Sequence, residues 1–300
     1  MHERTARAPM LYSSTGSTYE IGRPLGGGGM GRVYLAQQRR ASDGQPPKLV
    51  ALKLLRQGAP AVAQRLFYHE GALLRGLQNP HIVRYIENGR GFLAGTGAVS
   101  YLALGYVAGS TTEELCQHRA PLPPATVLGI VAQLVAALDY LHQRGVVHCD
   151  IKPANIMLEH AAPRAVLIDF GIARAPDFQS QPVAVGTPQY MAPEQADLHN
   201  PCDGRADLYA VGVVVYELLT GKRLFPRRTT TDIRQGHHIT VDAGDLSRLL
   251  DPRIAAVISR CLRGDPAERY ATPAELLDDL RQALCAAAGA PSGCWKEEGS

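Results

Sequence analysis

Four residues of one short stretch carry side chains that could act together. His148, Asp150, Lys152 and Asn155 lie in G-V-V-H-C-D-I-K-P-A-N-I-M-L, from Gly145 to Leu158. The spacing puts a carboxylate, an ammonium and an amide on a single loop. Phosphoryl transfer needs a carboxylate to orient a hydroxyl and accept its proton, positive charge on the moving group, and oxygen ligands for Mg²⁺. Asp169, in Asp-Phe-Gly after the apolar run Ala165 to Ile168, offers a second carboxylate for a metal. Upstream, Leu25 to Val33 contains G-x-G-x-x-G-x-V at Gly26, Gly28, Gly31 and Val33. Glycines let backbone N–H groups approach phosphates with no Cβ in the way. A flexible turn explains that stretch equally well when it stands alone. Lys53 ends the apolar Val50-Ala51-Leu52, and Glu70 lies in the next helical segment, so the two could form an ion pair beside phosphates. Taken singly, each is more often a solvated surface charge.

These groups need elements to hold them. Tyr19 to Tyr106 reads as mostly strands, with short β-prone runs at Val33 to Leu35 and Leu49 to Leu55. One helix interrupts them, Ala61 to Leu77, with apolar residues at 62, 66, 73, 74 and 77. Asn88 to Val99 is Gly-rich and reads as a hairpin connection. After Gly109 the pattern turns helical: Val127 to His142, Ala206 to Thr220 with a Gly stop at 221, Ile254 to Leu262, and Thr272 to Ala287. Thr272-Pro273-Ala274-Glu275 opens the last of these with a capping Thr, an early Pro and a Glu in the first turn. Residues 1–18 read as a flexible extension and 287–300 as a flexible tail. A strand-rich lobe, 19–107, and a helical lobe, 108–286, imply an α+β fold with a cleft between two lobes.

Composition excludes other classes. The chain has 300 residues, 45% apolar and 20% charged, with a net charge of +3. That charge is too small to argue for nucleic acid or membrane surfaces. Six cysteines show no C-x-x-C pair and no metal-ligand spacing, as expected of reduced thiols in a cytoplasmic protein. The apolar runs Val127 to Leu141 and Leu208 to Leu219 fall short of the roughly 20 residues of a membrane span and read as buried helices.

With Met191-Ala-Pro-Glu194 closing the segment, the motifs together resemble the eukaryotic-like Ser/Thr protein kinases, most of all their bacterial members. Those members share Gly-Gly-Met-Gly and Gly-Thr-Pro-Gln-Tyr-Met-Ala-Pro-Glu-Gln, and the match runs from about Tyr19 to Ala286. The resemblance implies a bilobal fold with a small β-rich lobe and a large helical one. It implies ATP as phosphoryl donor with Mg²⁺, or Mn²⁺ in its place. Leu25, Gly26, Gly28, Gly31 and Val33 would cover ATP, and Lys53, paired with Glu70, would hold its α- and β-phosphates. Leu104 would be the gatekeeper, and Gly105, Tyr106 and Val107 the hinge that meets adenine through its backbone. Ala51 and Met157 would sandwich the base. Asp150 would be the catalytic base, Lys152 would steady the γ-phosphate, and Asn155 and Asp169 would hold the metal. Asp207 would anchor the loop, and Arg269 would pair with Glu194. The resemblance further implies protein substrates with Ser or Thr acceptors, and a homodimer through the small lobes.

Lys152-Pro153 and Gly186-Thr187-Pro188 resemble the Ser/Thr branch, with Thr187 beside Asp150. One residue departs from the pattern: Cys149 stands where most such loops have Arg. That Arg binds a phosphate on the activation segment, which a neutral thiol cannot do. Gly171 to Gly186 carries one hydroxyl residue, Ser180. Phosphate receiver and donors are thus absent together, which implies an enzyme independent of loop phosphorylation. For Cys149 itself, a tolerated small residue is the plainer reading and a redox switch the sharper one. A binding scaffold and a small-molecule phosphotransferase stay open. The first usually loses the Lys or one of the Asp residues. The second generally lacks the Ala-Pro-Glu segment. The extension also offers Thr5, Ser13, Ser14, Thr15, Ser17 and Thr18 as modification sites.

Overall fold

The structure, a computed structural model, describes residues 8–40, 46–176, 186–196, 202–235 and 243–287. The chain divides into two compact units, Met1–Ala108 and Gly109–Ser300.

In the first unit, alternating side chains curl six antiparallel strands into a closed barrel of order β1-β2-β3-β4-β6-β5. They are β1 (Met10–Ser13), β2 (Ser17–Gly27), β3 (Gly31–Arg40), β4 (Lys48–Leu55), β5 (Tyr85–Leu93) and β6 (Gly97–Gly105). Period-2 alternation sends Leu11, Tyr19, Ile21, Ala36, Val50, Leu52, Val99, Tyr101 and Ala103 into one core. Burying each of the larger ones contributes about 1.5–3 kcal/mol. The opposite face of β3, β4 and β6 carries Val33, Ala51, Lys53 and Leu104, set by the pairs Val33↔Lys53 and Ala51↔Leu104. Helix α1 (Ala61–Arg75) packs on β5.

Two expectations are corrected here. Residues 10–18 are not a loose extension. Leu11 is fully buried, and β1 closes the barrel by pairing with both β2 and β5. Four residues are too short a strand to stand out by alternation alone. Ser17, offered as a modification site, is buried and donates to Glu87 at 3.1 Å, while Thr5 lies outside the described residues. Similarly, Asn88 to Val99 is strand except for residues 94–96. Its glycines serve close packing, because a Cβ on Gly91 would press on the Tyr12 backbone across the β1–β5 pair.

Glu87 is buried inside this unit. Its carboxylate accepts from Tyr19 (2.7 Å), Tyr101 (2.9 Å), Ser17 and Thr15 (both 3.1 Å). Burial works to raise its pKa, and these hydroxyl donors together outweigh it, so the group is held below the ordinary carboxylate range.

The second unit opens with β7 (Gly109–Thr111) and α2 (Thr112–Arg119). Helix α2 starts on a capping box: Thr111 Oγ1 accepts from Glu114 N at 3.1 Å, and Glu114 accepts from Thr111 N at 3.0 Å. Strands β8 (Ile156–Glu159) and β9 (Ala165–Leu167) complete a three-stranded sheet with β7. The helical body is α3 (Pro124–His142), α4 (Pro193–Ala196), α5 (Arg205–Thr220), α6 (Thr230–Arg234), α7 (Ala243–Leu246), α8 (Pro252–Cys261) and α9 (Pro273–Ala287). Among the described residues α3 is the one helix long and apolar enough to cross a membrane. Its Val127, Val131, Ala137, Leu138 and Leu141 are nonetheless fully buried, and it packs on α5 and α9. Helix α5 stops at Gly221, whose φ of +68° suits glycine. In α9, Thr272 Oγ1 accepts from Glu275 N at 3.2 Å, while the Glu275 carboxylate takes Ala271 N.

Candidate active site

Each unit presents its own constellation. In the first, β4 and α1 bring Lys53 Nζ within 2.6 Å of Glu70 Oε2. Glu70 is fully buried and the Lys53 side chain nearly so, 11% exposed. The buried carboxylate fixes the ammonium in place.

The glycine-rich stretch spans the turn from β2 to β3, closed by Gly28 N donating to Gly31 O at 2.9 Å. A Cβ on Gly31 would collide with the Leu54 carbonyl, so the sheet itself requires glycine there. A Cβ on Gly26 or Gly28 would meet no protein atom within 4 Å. Nothing in the fold demands glycine at those two positions, whereas close approach by a ligand's phosphates would. Leu25 and Val33 flank this turn, half-buried. Leu104 is buried opposite Ala51, and the sheet ladder ends at Val50↔Gly105, so Tyr106 and Val107 leave it.

In the second unit the loop residues converge on Asp150. Lys152 Nζ lies 2.6 Å from Asp150 Oδ2 and donates to Thr187 Oγ1 at 2.8 Å. Thr187 donates to Asp150 Oδ1 through its hydroxyl (3.0 Å) and its backbone N–H (3.2 Å). Asn155 donates through Nδ2 to Asp150 Oδ2 at 3.0 Å and to the Asp150 carbonyl at 2.9 Å. A carboxylate only accepts, so the amide nitrogen must face Asp150, and the Asn155 carbonyl oxygen is left for a cation. Asp169 follows β9, with φ +62° and one carboxylate oxygen accepting from Gly171 N at 3.3 Å. Its chain neighbour Ile168 donates through its backbone N–H to the backbone carbonyl of Asn155 at 2.9 Å, which ties the two donor residues together and leaves the side-chain amide oxygen untouched. Two hard oxygen donors of this kind suit Mg²⁺ or Mn²⁺. Met157, half-buried on β8, pairs with Thr111 and Val166.

The loop is held by α5. Asp207, buried near its first turn, accepts from His148 N (3.0 Å), Cys149 N (2.9 Å) and His142 Nε2 (2.9 Å). His148 stacks edge-on against Phe170, 4.7 Å between ring centres. Burial holds its imidazole below the usual pKa against the pull of Asp207, Asp150 and Asp169. Arg269 makes a bidentate pair with Glu194, at 2.6 and 2.8 Å, with both side chains buried.

Sequence reading missed two supports. Gln195 donates to the Cys149 carbonyl at 2.8 Å and accepts from Ala192 N at 2.8 Å, bridging the loop to the Ala-Pro-Glu segment. It stood in view as the last residue of Ala-Pro-Glu-Gln. Buried Arg228 donates to the Met191 carbonyl (3.0 Å) and to Tyr209 Oη (2.9 Å), for which the sequence carried no signal. Cys149 is buried with φ +66°, its thiol turned toward the Val147 carbonyl at 3.6 Å. Ser180 lies outside the described residues.

The protein kinase domain family matches residues 19–280. The serine/threonine-protein kinase PknB of Mycobacterium leprae is 34% identical over 269 residues, 87% of this chain and 42% of its own length. The serine/threonine-protein kinase PkaA of Streptomyces coelicolor is 33% identical, over 85% of this chain and 48% of its own length. The chain therefore spans less than half the length of these relatives. The crystal structure of the Mycobacterium tuberculosis PknI kinase domain aligns with a TM-score of 0.66 and 31% identity, covering 88% of this chain and 96% of that one.

Proposed function

This chain belongs to the protein kinase domain family, among its bacterial Ser/Thr members, and from that premise we propose that it transfers the γ-phosphoryl group of ATP to Ser or Thr hydroxyls of proteins without needing a phosphate on its activation segment. The observation that carries the reading is the Asp150, Lys152, Thr187 cluster. Asp150 orients the acceptor hydroxyl and takes its proton as the oxygen attacks. Lys152, now shared between Asp150 and Thr187, supplies positive charge to the moving phosphoryl group. Thr187 fixes the rotamer of Asp150 and borders the place of the acceptor. Lys53, braced by Glu70, holds the α- and β-phosphates, and Gly26 and Gly28 allow backbone N–H groups to reach them. In the first unit, Leu25, Val33, Ala51 and Leu104 give the adenine apolar surface, and Gly105 to Val107 offer it backbone partners. Asn155 and Asp169 would hold Mg²⁺, which neutralises charge on the phosphates when bound.

Independence from loop phosphorylation rests on how the segment is anchored. Thr187, Gln195 and Glu194 tie residues 186–196 to Asp150, to the Cys149 carbonyl and to Arg269 with no phosphate involved. Arg174, whose field reaches the Cys149 thiol, is a single guanidinium and not a cluster. The intact Lys53–Glu70 pair speaks against a mere scaffold, and the Glu194–Arg269 pair against a small-molecule phosphotransferase. ATP use and the free thiols fit a domain facing the cytoplasm. Pairing of two copies through the first unit belongs to the same reading, and sedimentation velocity tests it.

The test is intact mass after incubation with ATP and Mg²⁺, with and without a generic protein acceptor. The unmodified chain and Ser180→Ala should transfer phosphate. Asp150→Asn should lose activity by about 10²–10⁴-fold. Silence of Ser180→Ala in a folded protein would sink the phosphorylation-independent reading.

A further inference from the structure

One mouth of the barrel in the first unit is lined by cations. Alternation along β3 puts Ala36, Gln38 and Arg40 in one row, and along β4 it puts Leu52, Val50 and Lys48 in another, with Gln38 facing Lys48 across the pair. Ala36, Val50 and Leu52 are core residues. Farther along the same rows, where the core ends, stand an amide and two cations. Arg84 joins them from just before β5. Its carbonyl accepts from Gly105 N at 2.7 Å, and a Cβ on Gly105 would come within 3.3 Å of the Arg84 Cβ, so the missing side chain lets these strand ends approach. With Pro46, Tyr85 and Ile86, these residues line a cavity of about 210 Å³.

Two of its walls are fixed. Gln38 is buried and donates to Tyr19 Oη at 3.1 Å. The Tyr85 hydroxyl accepts from Arg75 and donates to Asn88 at 2.7 Å. Arg40 lies 3.5 Å from Glu87, a carboxylate that already accepts from four hydroxyl groups, and its side chain is 45% exposed. Lys48 and Arg84 have no acidic partner among the described residues, and no acidic side chain stands among the described residues that line the cavity.

We propose that this barrel mouth is a second anion site, taking a small phosphoryl ligand of the phosphate or pyrophosphate class between Arg40, Lys48 and Arg84. Barrel mouths are recurrent places for small ligands, because the rim converges side chains from several strands. The two guanidinium forks can each meet two oxygens of a phosphoryl group, and the lysine adds a point charge. Three cations facing one cavity repel one another, and a dianion between them removes that repulsion. Glu87 at the inner end opposes the anion, yet its charge is shared among hydroxyl donors and outnumbered by the cations. The site lies wholly within the first unit and uses none of the residues assigned to phosphoryl transfer, so it does not depend on the kinase reading.

The test is ¹H–¹⁵N NMR of the full chain titrated with pyrophosphate, and separately with inorganic phosphate, at constant ionic strength. The expected result is a saturating shift of the backbone amides of Gln38, Lys48, Arg84, Tyr85 and Gly105. It should persist in Lys53→Met, which removes the ammonium assigned to the nucleotide phosphates. Affinity should fall about tenfold or more in Arg84→Ala and in Lys48→Ala. Both of these side chains are exposed, so the variants keep the fold. Shifts confined to Gly26–Val33, shifts lost in Lys53→Met, equal affinity in the two alanine variants and the unmodified chain, or no saturation with either anion by about 10 mM would each overturn the proposal.

Discussion

At the residue scale, the sharpest energetic commitments are buried ion pairs. Arg269 and Glu194 lie with their side chains 0% and 6% exposed, joined by two charge-assisted bonds, and Arg269 also donates to the carbonyls of Arg263, Arg205 and Gly264. Removing one partner leaves a charge without water or counterion. Arg269→Ala should cost about 3–5 kcal/mol, lowering Tm by roughly 10 °C in a thermal melt. Replacing both together, as Arg269→Met with Glu194→Leu, should recover only part of that loss, because the carbonyls of Arg263, Arg205 and Gly264 lose their donor. Gln195→Ala is a different kind of change. It removes one bond to the Cys149 carbonyl and one from Ala192 N, roughly 1 kcal/mol each. Because both ends lie on backbone beside Asp150, we expect phosphotransfer to fall more than stability, which parallel kinetic and urea measurements would separate. Most of this site was legible in the sequence, since its residue types and spacing are dictated by the chemistry. Arg228 was not, because its partners, the Met191 carbonyl and Tyr209, are brought to it only by tertiary packing.

Elements were legible where periodicity runs long. Helices α3, α5 and α9 each carry enough turns for the 3.6-residue pattern to show. Short elements lack that statistical weight. Helix α2 was not read from the sequence, though its capping box Thr111-x-x-Glu114 is a local signal, and β1 is defined only by its partners. Strand β1 gives a direct test. Were residues 10–13 a loose tail, Leu11→Ala would be silent. As a fully buried barrel residue, Leu11 should cost about 3 kcal/mol when truncated, seen as a lower urea midpoint.

At the scale of the whole molecule, two buried carboxyl groups give stability opposite responses to pH. Glu87 is depressed in the folded state, so its contribution is complete above the unfolded pKa and is lost as pH falls through the folded one. Glu87→Gln should destabilise at neutral pH, and the deficit should close in acid below about pH 4. Glu217 behaves oppositely. Burial raises it, against the hydrogen bond from Tyr190 at 2.8 Å, so its contribution is complete in acid and is lost as pH rises through the folded pKa. Glu217→Gln keeps an acceptor for Tyr190 and should stabilise the protein at neutral pH and leave it unchanged in acid. Chemical denaturation from about pH 2 to about pH 8 reads both. The barrel also governs how one molecule meets another. A sheet with free edges presents unpaired N–H and C=O groups that recruit foreign strands. Here β1 joins β2 to β5, so the six-stranded sheet has no such edge. The kinase-family match begins at residue 19, beyond β1. A protein trimmed to that boundary would bare both neighbouring strands at once, and light scattering should show it aggregating where the full chain stays dispersed.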